Sequence, residues 1–259
     1  MNLSDSPMSQ NKNQCRAENG LCLIITAYNP DGIPEMLLRE AEHATVICAD
    51  GGYQHAKSAG IVPHYIIGDF DSAPLPPGDH KTHAAAEPAA SEHTAAGLAA
   101  VGFTAAGLTN TACVIRLPQE KDDTDTMCCI KKGLELGMER FLIAGGIGGR
   151  LDHTLANLQS LAYLNVRGVP AVLADKKNLV QIVSPGCLTL ARQEGFHFSL
   201  FSYSARCRGV TLSGAKYPLT EAVLENSFPI GVSNEFAAET VTVSHSEGQL
   251  LVLVSADDR

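Results

Sequence analysis

The sequence predicts an α/β fold class: an N-terminal, mostly parallel sheet wrapped by helices, then a smaller antiparallel β domain. Three observations carry that reading. Before about Val180, short continuous apolar runs alternate with amphipathic stretches, as strands buried on both faces do when crossover helices link them. Beyond Val180 several runs alternate apolar with polar residues, the period of a sheet with one wet face. Clusters of Asp and Gly also follow directly on the early apolar runs, where an open parallel sheet presents ligands. The expected divisions are a disordered leader over 1–20, the α/β domain over 21–180 and the β domain over 181–259.

Met1–Gly20 has no apolar core segment and reads as a mobile leader rather than a signal peptide or membrane anchor. Leu21–Tyr28 (LCLIITAY), Thr45–Ala49 (TVICA) and Tyr65–Gly68 (YIIG) are the first buried strands. Residues 73–112 are rich in Ala, Pro, Gly, His and Thr with no sustained apolar period. That stretch is expected to be a flexible insertion, disordered in preference to a functional flap. Cys113–Leu117 (CVIRL) and Phe141–Ala144 (FLIA) continue the strands. Between them a helix over Thr124–Leu136 places Met127, Ile130 and Leu134 on one stripe, and Gly137 supplies its left-handed stop. A second helix over Asp152–Arg167 is expected to turn Leu155, Leu158 and Ala162 inward. Phe196–Tyr203, Gly209–Ser213, Thr240–Ser244 and Gln249–Ser255 are the strands of the β domain, and no internal repeat is evident.

At 259 residues, 45% hydrophobic and 18% charged, the chain can bury a sizeable core. A formal net charge of -9 disfavours nucleic acid and anionic membrane surfaces as partners. A phosphate-rich ligand on so acidic a chain calls for a divalent cation to mediate. No apolar run approaches the ~20 residues that cross a bilayer. The eight cysteines show no CxxC spacing, so reduced, buried thiols and a cytoplasmic setting are expected.

Asp50-Gly51-Gly52 follows the second strand; alone it is ordinary turn chemistry, though its glycines would let a phosphate or ribose come close to the backbone. Gly68-Asp69-Phe70-Asp71-Ser72 follows the third. Strand alternation would set Asp69 and Asp71 on one face and Phe70 into packing. Two such carboxylates repel by roughly 4 kcal/mol at an effective dielectric of about 20. A bound Mg²⁺ turns that repulsion into coordination, and metal is favoured here over a solvated acidic turn. Lys121-Asp122-Asp123-Thr124-Asp125-Thr126 opens a helix, where Asp and Thr are common caps. Asp122 and Asp125 would share a face, so that one carboxylate caps while Asp125 points to the metal. The run from Gly145 to His153 (GGIGGRLDH) matches neither GxxxxGK[ST] nor GxGxxG. Its backbone N–H groups can still meet phosphates, with Arg150 bridging phosphate oxygens, Asp152 as N-cap and His153 structural.

Taken in order with Ala215–Leu219 (AKYPL) and Gly231–Phe236 (GVSNEF), these motifs resemble the thiamine pyrophosphokinase family. The resemblance implies an α/β nucleotide domain, a β-sandwich-like thiamine-binding domain, and a homodimer with active sites at the subunit interface. It implies ATP as co-substrate, Mg²⁺ as cofactor, and transfer of a diphosphate to the thiamine hydroxyl with release of AMP. On that resemblance Asp69, Asp71 and Asp125 are the metal carboxylates. Asp50, Gly51, Gly52, Asp122, Thr124, Gly149 and Arg150 are the ATP contacts, and Tyr217, Ser233 and Asn234 lie by the thiamine pocket. Asp71, Arg150 and Asp152 form the expected catalytic group: Arg150 stabilises developing charge, while either Asp71 or Asp152 accepts the hydroxyl proton. Two departures stand out: Thr26-Ala27-Tyr28-Asn29 where the family more often has Asn-Gly, and the longer connector over 73–112. AKYPL and GVSNEF argue against a pterin diphosphokinase. The place of DFDS after the third strand argues against an aspartyl phosphatase, whose motif follows the first. The filled acidic positions argue against a non-catalytic sensing module.

Overall fold

The continuous apolar runs form the middle of one sheet. In the computed structural model, residues 20–71, 101–103 and 112–257 are described; most of the expected leader and insertion lie outside them. In chain order, β1 (Leu21–Ile25), α1 (Glu35–Ala41), β2 (Thr45–Ala49), α2 (Gly52–Ser58) and β3 (Tyr65–Gly68) come first. β4 (Val101–Phe103), β5 (Ala112–Arg116), α3 (Asp125–Glu135), β6 (Arg140–Ala144), α4 (Leu151–Asn165) and β7 (Ala171–Ala174) follow. The rest is strand: β8 (Asn178–Val183), β9 (Gly186–Ala191), β10 (Phe196–Ser202), β11 (Arg206–Ser213), β12 (Leu219–Glu225), β13 (Thr240–His245) and β14 (Leu250–Ala256).

A ten-stranded sheet runs in the order β10-β14-β8-β7-β6-β1-β2-β3-β5-β4. The neighbours from β7 to β5 pair in parallel, and antiparallel strands flank them on both sides. β1 and β2 are buried along their whole length because helices cover both faces. Leu37 of α1 and Ala56 of α2 pack on one face, with Leu23 and Ile25. Cys129 and Ile130 of α3 and Leu161 and Leu164 of α4 pack on the other, with Ile24 and Ile143.

A second sheet, β12-β11-β13-β9, is antiparallel throughout. Val210, Leu212, Val241 and Val243 on it meet Phe198, Leu200, Val252 and Val254 on β10 and β14, which makes a two-sheet core. The large sheet therefore supplies one layer of the β region. The expected division at 180/181 falls inside β8. A tight turn makes this possible: Asp175 Oδ1 accepts from the N–H groups of Lys177 and Asn178 (2.8 and 2.7 Å), and β8 folds back antiparallel on β7.

Several local expectations need correction. Leu158 and Ala162 of α4 pack against the core as expected, but Leu155 is 53% exposed and the most buried positions are Asn157, Ser160, Leu161 and Leu164. Asn157 rotates the stripe, because its Nδ2 donates to the Gly146 carbonyl (2.8 Å) beneath the loop that precedes the helix. Arg150, not Asp152, occupies the N-cap position, and Asp152 lies in the first turn. Residues 69–71 are not extended strand: β3 ends at Gly68, and Phe70 takes a positive φ of 59° while still burying its ring. Cys22, Cys48, Cys129 and Cys207 are buried free thiols, but Cys187 on β9 is exposed. Burial pushes the first three thiols well above their ordinary pKa, so they stay protonated and unreactive.

Candidate active site

The strand order sets β1 between β2 and β6, while the helix after β1 and the helix after β6 cover opposite faces. At such a switch of direction the connecting loops part, and a crevice opens beyond the carboxyl ends of the strands. The loops at that edge are 26–29 after β1, 50–51 after β2, 69–71 after β3, 117–124 after β5 and 145–150 after β6.

Asp50 is buried with a positive φ of 45°, and its N–H donates to the Ile67 carbonyl (2.8 Å). Gly68 admits this close fit, since a Cβ there would stand 2.9 Å from the Asp50 Cα. Asp50 Oδ1 has no hydrogen-bond partner. Burial pushes the Asp50 carboxyl up, and the charges of Asp125, Asp69 and Asp71 push it further, against an opposing bond from the Gly51 backbone. Four carboxylates from three segments, the turn after β2, the turn after β3 and the start of α3, thus bear on one region. The folded chain holds the Asp50 proton more tightly than the unfolded chain does. The penalty for ionising it is therefore absent below the carboxyl's ordinary pKa, grows as pH rises above that value, and is complete once pH exceeds the raised folded pKa. Asp50→Asn is expected to raise the melting temperature of the ligand-free protein at pH 7 by a few degrees, with the gain vanishing below pH 4. Thermal unfolding at both pH values reads this, and a fall at pH 7 contradicts the repulsion.

Lys121 joins two of the expected metal carboxylates, its Nζ lying 3.1 Å from Asp69 Oδ2 and 3.0 Å from Asp125 Oδ1. For Asp69, burial works upward, but hydrogen bonds from Lys121 and from the Asp71 backbone bring its carboxyl below the ordinary value. Burial dominates at Asp125 and pushes it up despite Lys121. Asp71 donates its N–H to Asp69 Oδ1 (3.3 Å), which makes the pair neighbours in one turn. Among the described residues, no three His, Cys, Asp or Glu side chains close on a single point as metal ligands. The donors are nonetheless hard oxygens, and the buried Asp50 oxygen is unpartnered, which suits a hard divalent cation. Thr124 caps α3, its Oγ1 accepting from Met127 N–H (3.1 Å). Asp122 is exposed beside it, and Asp123 pairs with Lys131.

In the loop after β6, Gly149 has a positive φ of 62°, and a Cβ there would lie 2.7 Å from the Tyr28 ring. Tyr28 thus lies against the glycine loop, half-exposed. Arg150 and Asp152 are exposed and form a two-pronged pair, Nη2–Oδ2 2.6 Å and Nε–Oδ1 3.1 Å.

Sequence reasoning gave no role to Lys121, Asn157 or Asn29. Asn29 is 2% exposed, and neither of its amide atoms has a partner. A lysine beside three aspartates reads as a solvated counter-charge, and only the fold reveals that it bridges two loops.

On the β region, Asn234 is buried and its amide is fully engaged: Oδ1 accepts from the N–H groups of Tyr217 (3.1 Å) and Glu235 (2.9 Å), and Nδ2 donates to the Tyr217 carbonyl (2.7 Å). Asn234 therefore clamps the segment carrying Tyr217, whose ring is 58% exposed. Ser233 is exposed, with a positive φ of 54° and its N–H bonded to Ser199 Oγ (3.0 Å).

A mostly parallel α/β sheet with carboxylates and a glycine loop at its carboxyl edge has the parts of an α/β protein that binds a phosphate-bearing ligand. Family models described as thiamin pyrophosphokinase catalytic domain and thiamin pyrophosphokinase vitamin B1 binding domain match residues 106–173 and 187–250. The chain belongs to the thiamin pyrophosphokinase family. It is 29% identical over 227 residues to the thiamine pyrophosphokinase of Bacillus subtilis, covering 87% of this chain and 94% of that one. The crystal structure of a Bacillus subtilis thiamine pyrophosphokinase superposes with a TM-score of 0.72 at 26% identity, over 92% of this chain and 100% of the other. The fold is shared with a Geobacillus thermodenitrificans thiamin pyrophosphokinase, at a TM-score of 0.70 and 24% identity over 92% of this chain and 98% of that one.

Proposed function

We propose that the chain transfers a diphosphate from ATP to the hydroxyl of thiamine, giving thiamine diphosphate and AMP. The observation that carries this reading is the gathering of Asp50, Asp69, Asp71 and Asp125 at the carboxyl edge of the parallel strands, with Lys121 Nζ 3.1 Å from Asp69 and 3.0 Å from Asp125, in a chain of this family. The hydroxyl oxygen bonds to the β-phosphorus, the bond from that phosphorus to the oxygen it shares with the α-phosphorus breaks, and AMP departs with the electron pair. The proton goes to a carboxylate, Asp71 or Asp152. Arg150, freed from Asp152, would hold phosphate oxygens as charge develops on them. Asp69, Asp71 and Asp125 would hold Mg²⁺, which neutralises charge between the carboxylates and the phosphates. Backbone groups at Gly51, Gly52 and Gly149, with Asp122 and Thr124, would position ATP. Among the described residues no helix is long and apolar enough to cross a membrane, and cytoplasmic residence is part of the proposal. Phosphorus NMR of the protein with ATP, Mg²⁺ and thiamine should show AMP and a diphosphate ester growing together. Release of ADP instead rejects the reaction.

The proposed assembly is a homodimer in which Tyr217, Ser233 and Asn234 complete the neighbouring subunit's site, and the division of labour between the α/β and β regions follows from it. Tyr217 would wall the cationic ring, and Ser233 would offer its hydroxyl. Because Asn234 positions Tyr217 through its backbone, Asn234→Ala should raise the thiamine KM by about tenfold and leave the ATP KM near its starting value. Steady-state kinetics with each substrate varied in turn separates these; an equal rise in both contradicts the placement. Mixed Asp71→Asn and Asn234→Ala subunits should regain activity in heterodimers, and no recovery despite proven exchange rejects the shared site.

A further inference from the structure

We infer that Lys121 is a resident counter-ion which holds Asp69 and Asp125 together and competes with the divalent cation for them. The inference rests on the Mg²⁺ reading above. Asp69 lies in the turn after β3 and Asp125 at the start of α3, so no single element fixes their separation. Lys121 Nζ fixes it, with contacts of 3.1 and 3.0 Å, and its side chain is only 15% exposed. These are oxygens of the two carboxylates that a metal would take from different loops. A lysine ammonium is a point charge with no geometric demand, so it can gather the carboxylates without imposing a metal's coordination. Its flexible four-carbon stem lets it withdraw while the backbone stays in place. Lys121 lies in the segment leading into α3, and α3 is anchored separately by the Thr124 cap and by buried Cys129 and Ile130. The site would thus be loaded by exchange of one cation for another, not by filling a set of bare carboxylates that would otherwise spread apart.

The test is Mn²⁺ binding to the full-length, nucleotide-free protein, followed by the electron paramagnetic resonance of free Mn²⁺. Lys121→Gln and Lys121→Met should bind Mn²⁺ about tenfold more tightly than wild type, and Lys121→Arg should remain close to wild type. In chelator both neutral variants should melt below wild type, and saturating Mn²⁺ should close that gap. In wild type, Mn²⁺ should speed acylation of Lys121, read by peptide mass spectrometry, because the displaced amine becomes accessible. Asp125→Asn separates the two layers of the argument. If it binds Mn²⁺ as wild type does, the metal reading falls and the competition falls with it. If it loses Mn²⁺ while Lys121→Gln binds no tighter than wild type, the metal reading stands and the counter-ion role of Lys121 is overturned.

Discussion

Asp71→Asn is expected to lower kcat by about 10²–10³-fold while the melting temperature stays near that of wild type. Asn keeps the size of the side chain and the backbone N–H that donates to Asp69 Oδ1 (3.3 Å), so the turn after β3 persists. It removes one of the negative charges that act on Asp50 and Asp125. The Asp71 side chain is exposed, so no core packing is lost. Mg²⁺ titration of the variant is the check. Wild-type turnover at saturating Mg²⁺ would remove Asp71 from the charge-bearing set and leave Asp152 as the remaining proton acceptor.

Gly145→Ala should destabilise the fold by roughly 3 kcal/mol or more, well beyond the about 1–2 kcal/mol of a left-handed alanine alone. Gly145 has a φ of 82°, and an added Cβ would lie 2.5 Å from the Tyr28 carbonyl oxygen, 2.8 Å from Thr26 Oγ1 and 2.9 Å from Asn29 Cβ. The carbonyl cannot give way, because it accepts Gly146 N–H (2.7 Å) and the Thr26 hydroxyl (3.2 Å). Gly168 is the control, with a φ of 71° and nothing within 4 Å of an added Cβ. Gly168→Ala should show the conformational cost by itself. Denaturant unfolding of both variants reads the difference, and equal losses would mean that the loops after β1 and β6 are not locked together.

The parallel half of the fold is legible because burial on both faces leaves a continuous apolar run, and β2 and β3 begin and end where those runs do. α3 is legible from its Thr124 cap and the glycine stop. Other features are set by long-range pairing, which periodicity does not encode. β14 lies between β8 and β10, so the last apolar run extends the first sheet as well as building the second core. β12 is too exposed to announce itself. The acidic residues of the site stand out because strand ends advertise them. Lys121 does not, because its meaning depends on two loops meeting, and the grip of Asn234 on the Tyr217 backbone is set by a long-range contact that the sequence does not display.

The uninterrupted hydrogen bonding from β6 through β7 and β8 to β14 has a mechanical consequence. A girder shared by both regions resists bending at its middle, so the two ends of the chain cannot swing like jaws about residue 180. Movement that accompanies turnover is then left to the loops at the sheet edge. Heating should likewise melt both regions in a single step. A fragment cut at residue 180 would expose the edge of β7, an open template for pairing with its own kind.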